Sequence, residues 1–137
     1  MENEGTAATI SWASDEGNKD NENDYFITSR LNRETMYSGM LETYQKIMDN
    51  PNSGNVQKNK ATDEIKKIND AKNAIMISEN LIKTKGFEDV VILMNDESVS
   101  IVVKTEKLEE ASVAQIQNII TREMKVKVED INISSKN

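Results

Sequence analysis

The 137-residue sequence contains no cysteine and no histidine, one proline and five glycines. Each shortage removes a class of chemistry. Without cysteine there is no disulfide and no cysteine-rich metal site, although the compartment stays open. Without histidine, imidazole-ligated zinc is excluded, and the two absences together remove Ser-His-Asp and Cys-His catalysis. A nucleophile would have to be Ser, Thr, Lys or a carboxylate, and no lysine or carboxylate sits in an apolar stretch that would tune its pKa. Gly5, Gly17, Gly39, Gly54 and Gly86 lie too far apart to build G-x-G-x-x-G or G-x-x-x-x-G-K, so there is no phosphate loop. Long hydrophobic runs are missing as well. The longest is Val90 to Met94, far short of the roughly 20 residues that span a bilayer. No basic stretch and apolar segment follow Met1, as a signal peptide requires. The chain is then either soluble or held by an anchor outside this sequence.

What is present is charge, unevenly placed. The net charge is -7. Seven acids (Glu2, Glu4, Asp15, Glu16, Asp20, Glu22 and Asp24) and the single base Lys19 fall in residues 1–24, leaving 17 acids against 16 bases elsewhere. "SWASDEGNKDNENDY" is polar, acidic and without a periodic apolar face, so residues 1–23 read as an acidic, disordered linker. Residues 24–137 suit one domain with a single core. Their near-neutral balance argues against electrostatic nucleic-acid binding.

Past the linker, Phe26, Tyr37, Met40, Leu41, Tyr44, Ile47 and Met48 recur at helical spacing, predicting a helix from about Asp24 to Met48 that Asp49-Asn50-Pro51 ends. Ile27 and Leu31 lie off that stripe, on a flank of their own. Ala61, Ile65, Ile68, Ile75 and Ile82 mark a second helix closed by Gly86. Val90–Met94 and Val99–Val103 then read as a β-hairpin turning at Asn95-Asp96-Glu97-Ser98. Val113, Ile116, Ile119, Ile120 and Met124 give a third helix, and Ile131 and Ile133 a last strand. The order α-α-β-β-α-β predicts a two-layer α/β (α+β) domain with helices packed on one face of a three-stranded sheet.

The hairpin breaks the usual alternation of apolar and polar residues. Placing Met94 opposite Val99, Ile92 opposite Ile101 and Val90 opposite Val103 turns those six towards the helices. Val91, Leu93 and Val102 then point the other way, beside Ser100. Either the first helix or the linker folds over this second face, or the face is a contact surface. Together with the spare flank at Ile27 and Leu31, it is the candidate partner-binding site. Met36, Met40 and Met48, with Tyr37 and Tyr44, offer a weaker one, since methionine and aromatic side chains serve adaptable surfaces as well as cores.

Other signals are weaker still. Asp20, Glu22 and Asp24 have the alternate spacing of a calcium loop, but Tyr25 stands where glycine belongs and Leu31 where the bidentate glutamate belongs. Glu109-Glu110 suits a helix N-terminus better than acid-base chemistry. Glu88-Asp89 is a second adjacent pair. Asn132-Ile133-Ser134 fits a glycosylation acceptor but falls on a strand.

"ENLIKTKGFEDVVILMNDESVSIVVKTEKL" followed by "AQIQNIITREMKVKVEDINI", with the entry "DYFITSRLNRE", resembles the C-terminal domain of the stage III sporulation protein AH family of endospore-forming Firmicutes. The resemblance covers about residues 24–133, and the high Asn, Lys and Ile usage suits a clostridial genome. It implies a ring-building-motif fold similar to type III secretion basal-body domains. It implies an N-terminal transmembrane anchor, absent here, in the mother-cell membrane around the forespore, with this domain in the intermembrane space. It also implies a non-enzymatic role without cofactors, in a channel or zipper that supports engulfment. The implied partners are stage II sporulation protein Q, a LytM-type protein; other copies in a ring; and other stage III A-operon proteins. The rival readings are a ring-forming domain of another secretion-type assembly and a KH-like nucleic-acid binder. The KH reading lacks its G-x-x-G loop and basic stripe.

Overall fold

The computed structural model describes residues 20–137: α1 (Asp20–Asp49), α2 (Asn55–Lys83), β1 (Val90–Asn95), β2 (Ser98–Lys104), α3 (Glu110–Met124), a 3-10 turn (Val128–Asp130) and β3 (Ile131–Lys136). This is the α-α-β-β-α-β order read from the apolar spacing. Residues 1–19, most of the expected linker, lie outside the described residues. α1 begins at Asp20 rather than near Asp24, so the alternate carboxylates sit on helical backbone. A helix does not wrap round an ion as a calcium loop must.

Local chemistry sets the helix ends. The Asn50-Pro51 step closes α1, because the residue before proline is pushed out of the helical region. The Gly54 N–H donates to the Gln57 side-chain oxygen (3.1 Å) at the start of α2. At its end the Thr84 hydroxyl donates to the Leu81 carbonyl (2.6 Å), and Gly86 takes φ +106°, a conformation open to glycine without a Cβ penalty. Glu109 precedes α3 and Glu110 lies in its first turn, where negative charge suits the helix dipole.

The sheet order is β1-β2-β3, with β1 antiparallel and β3 parallel to the central β2. The parallel pair needs a crossover, which α3 supplies. Met94 pairs with Val99, Ile92 with Ile101 and Val90 with Val103, the register expected from the apolar runs. Asp96 and Glu97 make the turn, Asp96 at φ +56°, as the tight hairpin turns require at their first position. Ile68, Ile75 and Ile82 of α2 and Ile116, Ile119 and Ile120 of α3 pack over Val90, Ile92, Val99, Ile101, Val103 and Ile131. Tyr37 of α1 joins the same core.

One stripe of α1 meets three environments in turn. Phe26, Arg30, Arg33 and Tyr37 recur at helical spacing and so share a face. Phe26 packs on Val91 and Val102, beneath the sheet. Arg30 and Arg33 bond the edge of β1, and Tyr37, with Leu41 and Tyr44, reaches the helical layer. At 30 residues and a rise of 1.5 Å each, α1 is about 45 Å long, enough to pass diagonally from one face of the sheet to the other.

Candidate interaction surfaces

The five residues expected to bind a partner separate into two groups. Val91 is 0% exposed and Val102 9%, both under Phe26, itself 0% exposed. Leu93 is half-buried beside them. Tyr25 meets Phe26 edge-on, with ring centroids 5.4 Å apart, and Lys136 Nζ of β3 lies 5.1 Å from the Tyr25 ring centre. The hairpin's second face is therefore not an open surface at Val91 and Val102. The start of α1 covers it, because burying that apolar cluster under an aromatic removes it from water. By contrast, Ile27 is 60% exposed and Leu31 64%, one turn apart on the flank of α1.

That flank is firmly held. Arg30 Nη2 donates to the Val90 carbonyl (3.1 Å) and pairs with Asp89. Arg33 Nη1 donates to the Ile92 carbonyl (2.7 Å) and to Glu79 (2.7 Å). The Ile92 N–H donates to the same Glu79 oxygen (2.9 Å), and the Val90 N–H to Asp89 (2.9 Å). All four outward backbone groups of Val90 and Ile92 are satisfied by side chains, so this part of the β1 edge is closed to further strands. Asp89, one of the paired carboxylates noted above, serves this edge. Glu34 bridges from α1 to Lys72 of α2 (3.0 Å). Met76, one turn beyond Lys72 on α2, is also exposed.

The methionine surface is mixed. Met36 and Met40 are exposed, Met48 is half-buried and takes a contact from the Thr62 hydroxyl, and Tyr37 and Tyr44 belong to the core. Burial raises the Tyr37 phenol above its ordinary value of 10.0, with the Arg33 charge pulling the other way. Among the described residues no group of three carboxylates could hold a metal ion.

The far edge of the sheet differs from the near one. The Thr105 N–H donates to the Lys136 carbonyl (3.0 Å), so the even-numbered residues of β3 bond β2, and the backbone of Ile131, Ile133 and Ser135 points outward. The Ile131 N–H bonds the Val128 carbonyl. Among the described residues no side chain caps the remaining outward groups.

Comparison with known proteins bears on this geometry. The model of the family described as SpoIIIAH-like protein matches residues 1–133. Stage III sporulation protein AH of Bacillus subtilis (strain 168) is 26% identical over 104 residues, 76% of this chain and 48% of that protein. The chain thus spans about half the length of the curated relative it matches. A chain of the structure described as the SpoIIQ-SpoIIIAH pore forming complex aligns with a TM-score of 0.75 at 23% identity, covering 82% of this chain and 96% of that one. At that identity the likeness establishes the fold.

Proposed function

The chain belongs to the SpoIIIAH-like family, and from that premise we propose that it is a non-enzymatic interaction domain of a sporulation assembly that binds a SpoIIQ protein. The naming of SpoIIQ beside SpoIIIAH in the pore-forming complex of like fold supports that partner. The domain lies between mother cell and forespore, joined by the acidic segment of residues 1–23 to an anchor in the mother-cell membrane. No helix among the described residues is long and apolar enough to cross a membrane itself. Other copies in a ring and other stage III A-operon proteins complete the assembly.

The observation that carries this reading is the exposed Ile27–Leu31 flank, beside a stripe of the same helix that is engaged with the sheet and the helical layer. Two large apolar side chains on a rigid support lose little conformational freedom on docking. Each contributes on the order of 1.5–3 kcal/mol if fully buried. Val91, Leu93 and Val102 act behind them, by holding Phe26 and hence the flank in place. Titration calorimetry with the soluble domain of the same organism's SpoIIQ protein tests the assignment. Ile27→Asp with Leu31→Asp should weaken binding at least tenfold at unchanged thermal stability. Unchanged affinity would place the partner elsewhere.

A further inference from the structure

We propose that β3 is a pairing edge for a second copy of this chain, which joins two sheets antiparallel across a two-fold axis at Ile133. The asymmetry of the sheet is the starting point. Four side-chain bonds close β1 at Val90 and Ile92, whereas β3 presents the Ile133 N–H, the Ser135 N–H and the carbonyls of Ile131, Ile133 and Ser135. Such a row is a template for another strand.

Charge selects both the occupant and the register. Antiparallel pairing sets outward-pointing residues opposite one another, so the choices differ by steps of two. Centring on Ile133 sets Ile131 opposite Ser135 of the second copy, Asn132 opposite its Ser134, and Asp130 level with its Lys136. A shift one way puts Asp130 beside Ser134 and Lys136 beside Val128. A shift the other way sets Lys136 opposite Asn132, which carries no charge. The central register alone gives each acid a base, twice by symmetry, and opposite charges facing each other across strands stabilise the pair. It also brings the two half-buried Ile133 side chains together on the helix-facing side. Each Ile133 exchanges N–H and carbonyl with its counterpart, and each Ser135 N–H meets the Ile131 carbonyl opposite.

A six-residue strand buries far less than the roughly 1,200 Å² of a stable interface. The contact is therefore weak, and it forms where copies are concentrated, as tethering to one surface does. Its two-fold geometry makes it a pairing contact, separate from any ring contact and from the flank at Ile27 and Leu31.

Sedimentation equilibrium of the domain, from low micromolar to millimolar, should show the mass rising towards twice 15.5 kDa. Ser135→Pro removes one outward N–H and leaves the β2 ladder intact, so it should stay monomeric with an unchanged circular dichroism spectrum. Lys136→Glu should weaken pairing about tenfold, and adding Asp130→Lys should restore it. A wild-type chain that stays monomeric to millimolar, or a Ser135→Pro chain that pairs as before, would overturn the proposal. So would an edge variant that changes only SpoIIQ binding. If Ser135→Pro fails to fold, the charge exchange decides the matter, because it leaves the backbone untouched.

Discussion

Arg33 and Glu79 meet across the edge of β1, their ion pair 2.7 Å long, and between them they take both backbone groups of Ile92. The pair replaces the strand that β1 lacks on that side. It also ties α1 to α2 and both helices to the sheet. With side-chain exposures of 14% and 12%, the two charges are largely withdrawn from water.

Removing one partner leaves the other buried and uncompensated, which costs about 3–5 kcal/mol. Arg33→Ala and Glu79→Ala should each lower the urea midpoint sharply. Changing both to Met should cost less than the sum of the single Met substitutions, since no charge is stranded. Additive losses in urea unfolding would show that the two do not act as a unit.

Val102 and Leu93 should respond unequally to aspartate. Val102→Asp puts a carboxylate under Phe26 with no partner, so the chain should unfold or lose several kcal/mol. Leu93→Asp, half-buried, should be milder. Equal thermal shifts for the two would contradict the cover described for this face.

Ser78 on α2 is fully buried, and among the described residues its Oγ has no hydrogen-bond partner. An unsatisfied buried hydroxyl is unfavourable by about 1–3 kcal/mol. Ser78→Ala should therefore be neutral or stabilising in thermal unfolding, unlike an ordinary truncation in this core. A clear loss of stability would mean that the hydroxyl has a partner after all.

Tyr37 links stability to alkaline pH. Burial lifts its phenol above 10.0 in the fold, so the neutral form is favoured in the native state. The contribution is complete below the unfolded value near 10 and is lost as pH rises through the folded one. Tyr37→Phe should flatten that alkaline decline. The check is urea midpoints measured from about pH 9 to 12, and parallel curves for the two proteins would argue against it.

The element order and the hairpin register were legible in the sequence because both rest on unbroken apolar patterns. Val90, Ile92, Val99, Ile101 and Val103 can bury together in one register only. The passage of α1 across the sheet was not legible, because periodicity assigns a helix stripe to one contact. Phe26 and Tyr37 share a stripe yet lie on opposite sides of the sheet. The available signal was polar: Arg30 and Arg33 interrupt that stripe, and Glu79 sits in line with Ile68, Ile75 and Ile82. Charges within an apolar stripe mark the place where backbone, rather than side chains, is being covered. Ile27 and Leu31 were readable as a flank because they fall one step outside it.

The diagonal course of α1 also bears on the order in which the chain assembles. Phe26 needs Val91 from one strand and Val102 from the next, so its resting place exists only after the hairpin has closed. Contacts so distant in sequence carry a large loop-closure cost before they stabilise anything. The first turns of α1 therefore dock late, and stability added there acts on escape from the native state rather than on the route to it. Phe26→Ala should hasten unfolding in stopped-flow experiments while refolding keeps its rate. The cover over the second face thus works as a latch on the lifetime of the fold.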